Sequence, residues 1–310
     1  ADGRSSCDYS FHMTIDDWND AIKAEVPKMF EQGISSFKMY MTYPAMMIGD
    51  KDLFYALEEI KRFGGIAGVH CENAGVIDAL IEQHKKDGKM KPASHPECRP
   101  NATEAEAVAH LLRICEVADT PVVIVHLSTK EALGEVLAAR ARGQKVYVET
   151  CPHYLTLDES GYYEEDFRKA AGYICAPPLR TKADQEMLWK GLYNGAIQTV
   201  STDHCSFTLE QKEAGREDFT KIPGGLPGVE TRGVLLYTFG VATGTFGSHR
   251  IFDYLIAQKK AGRIRHLGFS VHGNLETMQR FLDAYGKDME FCQIQLNWLD
   301  YDFQDAKAKC

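Results

Sequence analysis

Five residues in this chain have side chains suited to holding a cation or moving a proton, and each lies within or just beyond an apolar run: Lys38, Tyr43, His70, His126 and Asp203. Lys38 sits inside ISSFKMYM (34–41), where the strand period of two puts Lys38, Tyr40 and Thr42 on one face and Phe37, Met39 and Met41 on the other. A lysine inside a strand is costly unless it is paired, neutralised or modified. Two readings follow. In one, Lys38 is salt-bridged to Asp203 or Glu149; in the other, its deprotonated amine takes up carbon dioxide. The resulting carbamate could bridge two divalent metals about 3.5–4 Å apart.

His70 in GVHCEN and His126 in IVHLST each close an apolar run. One such histidine alone reads as structural. Two at equivalent strand ends, with Lys38 before and Asp203 after, read as metal ligands, and neutral imidazole suits Zn. Asp203 in STDHC fits a ligand that is also the base taking a proton from water. Tyr43 lies where the strand would leave the rim; its hydroxyl could stabilise an oxyanion, although alone it would read as a packing aromatic.

The elements that must position these groups alternate along the chain. ISSFKMYM, GGIAGVH (64–70), TPVVIVH (120–126), QKVYVET (144–150) and AIQTVSTD (196–203) are separated by helical stretches such as DLFYALEEIKRFG and TKEALGEVLAARARG. Strand–helix alternation with runs apolar on both faces predicts an α/β fold with a buried parallel sheet. The polar residues cluster at strand C-terminal ends, and no G-x-G-x-x-G or Walker-type loop occurs. Both features favour a TIM-type (β/α)8 barrel over an open doubly wound sheet. Residues 84–103 and 205–228 read as loops over the rim, and IPGGLPG (222–228) offers backbone for close approach to a ligand.

Composition sets the outer bounds. The chain has 310 residues, 44% hydrophobic and 25% charged, enough for one barrel or two ordinary domains. A formal charge of -9 argues against nucleic-acid and anionic-membrane partners. The nine cysteines include no C-x-x-C pair and read as reduced thiols in a cytoplasmic protein. No apolar run reaches the roughly 18 residues of a membrane span. The start, ADGRSSCDYSFH, has neither signal-peptide character nor an initiator Met, which suggests a fragment or a processed chain.

From about Cys7 to Gly244 the pieces CDYSFH, SSFKMYMTYP, VHCEN, VHLST, VETCPHYL, CAPPLR, STDHCSF and PGGLPGVETR resemble, in order, the dihydropyrimidinase/hydantoinase branch of the amidohydrolase superfamily. The resemblance implies metal-dependent ring opening of a small cyclic amide, a dihydropyrimidine or hydantoin, in a homo-oligomer. It implies a carbamate on Lys38, one metal on His70 and His126, and Asp203 as ligand of the other metal and as base. Tyr43 would polarise the scissile carbonyl, and the backbone of Cys175, Ala176, Gly224 and Gly225 would contact the ring amide. The family often has Ser at Ala176 and Asn at Gly224. His12, His153 and His204 fall in family motifs and read as structural.

Two departures qualify the resemblance. None of the eleven histidines forms the family's H-x-H pair, and the family's first strands and small β-sandwich domain have no match here. From 245 to 310 the sequence instead resembles an internal strand–helix–strand segment of an aldo-keto reductase, with strands IRHLGFSVH and FCQIQLNWL. There Ser270 and Gln293 match residues that hold a nicotinamide amide. Six strands from 1–244 and two from 245–310 add to the eight of a closed barrel, so a hybrid barrel is expected, with an incomplete, open one as the alternative. The functional expectation is a cyclic-amide hydrolase impaired by the missing H-x-H strand. A non-catalytic barrel scaffold is the alternative, and nicotinamide binding through the C-terminal piece a distant third.

Overall fold

The apolar runs fold as parallel strands. In the computed structural model, which describes residues 9–241, 249–271 and 275–294, one sheet contains β1 (Met13–Thr14), β2 (Ser36–Tyr40), β3 (Ile66–His70), β4 (Val122–Ile124), β5 (Val146–Thr150) and β6 (Thr199–Val200). Its spatial order is the sequence order, every pair is parallel, and no reversal occurs. A doubly wound sheet would reverse at a switch point. Here all strand C-terminal ends face one side, which becomes the site.

Six crossover helices join the strands: α1 (Asp20–Glu31), α2 (Asp50–Arg62), α3 (Ala74–Lys86), α4 (Asn101–Ala118), α5 (Lys130–Ala141) and α6 (Lys182–Asn194). In α2, Leu53, Ala56, Leu57 and Ile60 recur on one face and are buried. Asp50 and Asp52 occupy its first turn and Lys61 and Arg62 its last, matching the helix dipole. Gly64, at φ 77, takes the left-handed conformation that turns the chain from α2 into β3. Strand alternation divides β2 as its sequence predicts: Phe37 and Met39 enter the core, whereas Lys38 and Tyr40 are only half-buried. Phe37 and Met39 share that core with Val69, Ile124, Val148 and the inner faces of the helices.

Two expectations are corrected. Of the predicted first strand, CDYSFH (7–12), residues 7 and 8 lie outside the described residues, and 9–12 are not strand. β1 falls at Met13–Thr14, the pair that comes into register with Phe37 and Lys38 before the Asn19-capped turn into α1. The predicted rim loops carry short helices, Ser94–Glu97 and Leu209–Lys212. Among the described residues, β1–β6 pair as one six-stranded sheet. Chain division falls between Tyr237 and Thr238, and the later unit holds its own strand–helix–strand: β7 (Gly268–Val271), α8 (Leu275–Tyr285) and β8 (Phe291–Ile294), preceded by α7 (His249–Lys260). β7 and β8 pair in parallel as a two-stranded sheet, with Ser270 opposite Gln293. The expected junction at 244/245 lies outside the described residues.

Cys71, Cys98, Cys115, Cys151, Cys175 and Cys205 are free thiols, and among the described residues no helix is long and apolar enough to cross a membrane. Leu111, fully buried in α4, tests where stability resides. Leu111→Ala is expected to lower unfolding free energy by about 2–5 kcal/mol, read from the urea midpoint; a change below about 1 kcal/mol would mean that α4 is not packed on the core.

Candidate active site

Lys38, Tyr43, His70, His126, Cys175, Ala176, Asp203, Gly224 and Gly225 all line one cavity of about 640 Å³ at the C-terminal ends of the strands. Register explains the first meeting. Tyr40 of β2 pairs with His70 of β3, so Lys38 lies two residues below on the same face, beside Gly68. β4 stops at Ile124, and His126 follows in the turn beyond it. The His70 and His126 rings stand 4.5 Å apart between centroids, edge to face. Tyr43 lies 5.1 Å from the His70 ring, and the Lys38 amine lies 5.0 Å from the Tyr40 ring.

Backbone strain is concentrated at this cavity. Among the described residues, four non-glycines have a left-handed backbone: Tyr43 (φ 69), Asp119 (φ 46), His126 (φ 40) and Asp203 (φ 44). Asp119 is the exposed residue ending α4. The other three line the cavity. Such conformations cost about 1–3 kcal/mol each and persist where the surrounding structure over-determines them, commonly at functional sites.

The electrostatics favour neutral donors. Burial pushes the Lys38 amine below the ordinary lysine range, against the opposing pull of Asp203 and Glu149. Among the described residues no carboxylate is within ion-pairing distance of that amine, so neither predicted salt bridge is formed. Burial likewise lowers His70, although Glu72 opposes it, and lowers His126 well below the usual histidine range, with Lys38 and His70 adding to the effect. Both imidazoles are therefore neutral near pH 7. Burial pushes the Tyr43 hydroxyl up, helped by Glu72, so it stays a donor.

Several residues around the site were not found from the sequence. Glu72, fully buried, lies 2.7 Å from His70 Nε2 and accepts from Arg99 at 2.7 Å. Burial alone would raise its carboxyl, but Arg99 and His70 outweigh that and hold it ionised. The buried imidazole edge on Glu72 fixes the His70 ring and leaves its other nitrogen for a ligand, the arrangement usual behind metal-binding histidines. Strand alternation from His70 to Glu72 in HCEN was the available signal. Arg99 and His95 fell in a stretch without periodicity, and nothing marked them. His95 Nε2 donates to the Cys175 carbonyl at 2.7 Å. His153, read as structural, also lines the cavity, and its Nε2 is buried without a hydrogen-bond partner among the described residues.

These donors suit one cation better than two. Two neutral imidazoles and an unpaired lysine amine could supply three ligands if the amine carried a carbamate. A second ion would have only that carbamate and Asp203. Among the described residues no three His, Cys, Asp or Glu side chains are gathered for a metal.

Known proteins fit this geometry. The chain is 41% identical over 259 residues to the D-hydantoinase of Streptomyces coelicolor and 42% identical over 248 residues to the D-phenylhydantoinase of Escherichia coli O81. These alignments cover 83% and 79% of this chain, but 55% and 53% of those proteins. The crystal structure of the dihydropyrimidinase from Brevibacillus agri superposes with a TM-score of 0.76 at 40% identity, over 78% of this chain and 53% of that one. The chain is homologous to the D-hydantoinases and dihydropyrimidinases. It spans about half the length of the curated relatives it matches. No family model matches it. This hydantoinase-related chain keeps Lys38, His70, His126 and Asp203 around one cavity without any H-x-H pair in its sequence.

His95 gives the site a pH signature. Burial holds its imidazole at about 3, below the unfolded value of about 6.5. The unfolded chain therefore binds a proton that the folded one refuses as pH falls below about 6.5, and stability is lost down to about pH 3. The slope from this one group reaches about 1.4 kcal/mol per pH unit. His95→Gln, which keeps a donor for the Cys175 carbonyl, is expected to flatten the fall in unfolding free energy between pH 6 and 4; an unchanged slope would assign the loss to other groups.

Proposed function

We propose that the cavity is the site of a cyclic-amide hydrolase, one that opens a dihydropyrimidine or hydantoin ring with the help of one divalent cation, with zinc the best match. The observation that carries this reading is the convergence of the three strained residues, Tyr43, His126 and Asp203, with Lys38 and His70 on one cavity. His70, His126 and a carbamate on Lys38 would hold the cation; burial disfavours the charged form of that amine, the direction carbamate formation needs. Bound there, a divalent cation supplies Lewis acidity to the scissile carbonyl and makes the attacking water easier to deprotonate. Asp203 accepts that proton and passes it to the ring nitrogen as the C–N bond breaks. The protonated Tyr43 hydroxyl donates to the carbonyl oxygen as negative charge develops on it. Main-chain groups of Cys175, Ala176, Gly224 and Gly225 hold the ring amide. The substrate is a small molecule, and neither nucleic acid nor a membrane surface enters the reading.

We also infer that the six-stranded sheet is part of a barrel that needs further strands to close, and that the 245–310 segment makes the chain a hybrid. A cooperative unfolding transition and a defined solution mass, as monomer or homo-oligomer, would support closure; aggregate with exposed strand edges would refute it. The rival function is a non-catalytic scaffold, favoured by the lack of three gathered His, Cys, Asp or Glu ligands among the described residues.

Metal analysis after incubation with zinc and bicarbonate separates the two. The hydrolase reading expects about one zinc per chain and slow opening of dihydrouracil or hydantoin, with zinc lost in Lys38→Ala. A chain that binds no zinc leaves the scaffold. Glu72→Gln should weaken zinc binding about 10–100-fold by freeing the His70 ring; an unchanged affinity would mean that Glu72 does not orient a ligand.

A further inference from the structure

One wall of the cavity is built from main chain. It consists of two segments, 174–176 and 223–225, brought together from distant parts of the sequence. The side chain that joins them is Lys212, at the end of the short helix Leu209–Lys212 and 3% exposed. Its Nζ donates to the carbonyl oxygens of Ile174 at 3.1 Å, Pro223 at 2.9 Å and Gly225 at 3.2 Å. An ammonium has three N–H donors, so all are used. Among the described residues Lys212 has no carboxylate within ion-pairing distance. A buried cation bonded to three carbonyls, with the Phe207 ring 5.9 Å away, fixes backbone rather than neutralising charge.

Two further bonds complete the join. The Gly225 N–H donates to the Ile174 carbonyl at 2.9 Å, and His95 takes the Cys175 carbonyl. At Gly225, φ is 154, and a Cβ would collide with the Cys205 carbonyl, so the close approach needs glycine. The carbonyls of residues 174, 175, 223 and 225 are thus occupied. Among the described residues the peptide N–H and C=O of Ala176 and Gly224, both on the cavity, have no partner. Each open residue lies next to one whose carbonyl is tied down.

We propose that Lys212 is a positioning residue: it sets the spacing of the two segments so that the open peptide groups of Ala176 and Gly224 meet the –CO–NH– edge of one planar ligand. The ligand class rests on the cyclic-amide reading above; the clamp itself does not. Removing the ammonium would leave three carbonyls without donors and let the segments separate, while Lys38, His70, His126 and Asp203, carried by β2, β3 and the turns after β4 and β6, would keep their places.

The test uses the full chain supplied with zinc and bicarbonate, and succinimide as a five-membered cyclic imide probe. Lys212→Met keeps the aliphatic stem and removes every donor. It is expected to raise the dissociation constant for succinimide about tenfold or more, the loss of at least one charge-assisted bond, with zinc content unchanged. Amide hydrogen exchange at 174–177 and 222–226 should quicken in step, with β3, β4 and β5 unaffected. In Lys212→Ala, added propylammonium should restore part of the affinity. Unchanged succinimide binding overturns the proposal, as does exchange that quickens evenly through the sheet, which would mark Lys212 as structural only. If the wild-type chain binds no succinimide, the cyclic-amide reading falls, and exchange still decides the clamp: local quickening in Lys212→Met upholds it, and its absence overturns it.

Discussion

A lysine amine kept from water on the cavity face of β2 is the constraint around which the rest of the site is arranged. Burial disfavours its charged form, Asp203 and Glu149 oppose that only partly, and among the described residues no carboxylate lies within ion-pairing distance. The neighbouring groups are similarly tuned by desolvation: two imidazoles held neutral and a phenol held protonated. The imidazoles face the cavity uncharged, with Asp203 on the same cavity. Neutral imidazoles need not lose a proton before they meet a divalent cation.

Behind these groups runs a second layer of paired charge. Glu72 joins His70 to Arg99, and Arg99 offers its carbonyl to Arg180 at 2.5 Å. Arg180 pairs with Glu104 at 3.0 Å, and Glu104 also receives the Ser128 hydroxyl and N–H. Each member is buried or nearly so. Desolvated charge of this kind adds little net stability, but breaking it is costly, so it fixes geometry more than it stabilises the fold. The chain therefore separates two tasks: neutral groups face the cavity, and charged groups lock their orientation from behind. Lys212 and His95 perform the corresponding task for the main-chain wall.

The relatives place this arrangement in context and sharpen what is unusual about it. About four fifths of the chain aligns at about 40% identity with D-hydantoinases, yet it accounts for about half of their length. The aligned part carries Lys38, His70, His126 and Asp203 around one cavity.

Much of the α/β architecture and the candidate site was legible in the sequence because both depend on local periodicities. Apolar runs of strand length, helical faces such as that of α2, and the alternation that separates Lys38 from Phe37 and Met39 are properties of neighbouring residues. Ligand-type residues at run ends then marked one rim. Other features were decided only in three dimensions. The left-handed backbone at Tyr43, His126 and Asp203, the carboxylate behind His70, the clamp from Lys212 and the separate pairing of β7 with β8 all depend on partners far away in the chain. Hydrogen bonds and desolvation act between groups that folding brings together, and no local pattern records which distant carbonyl or carboxylate a buried side chain will meet.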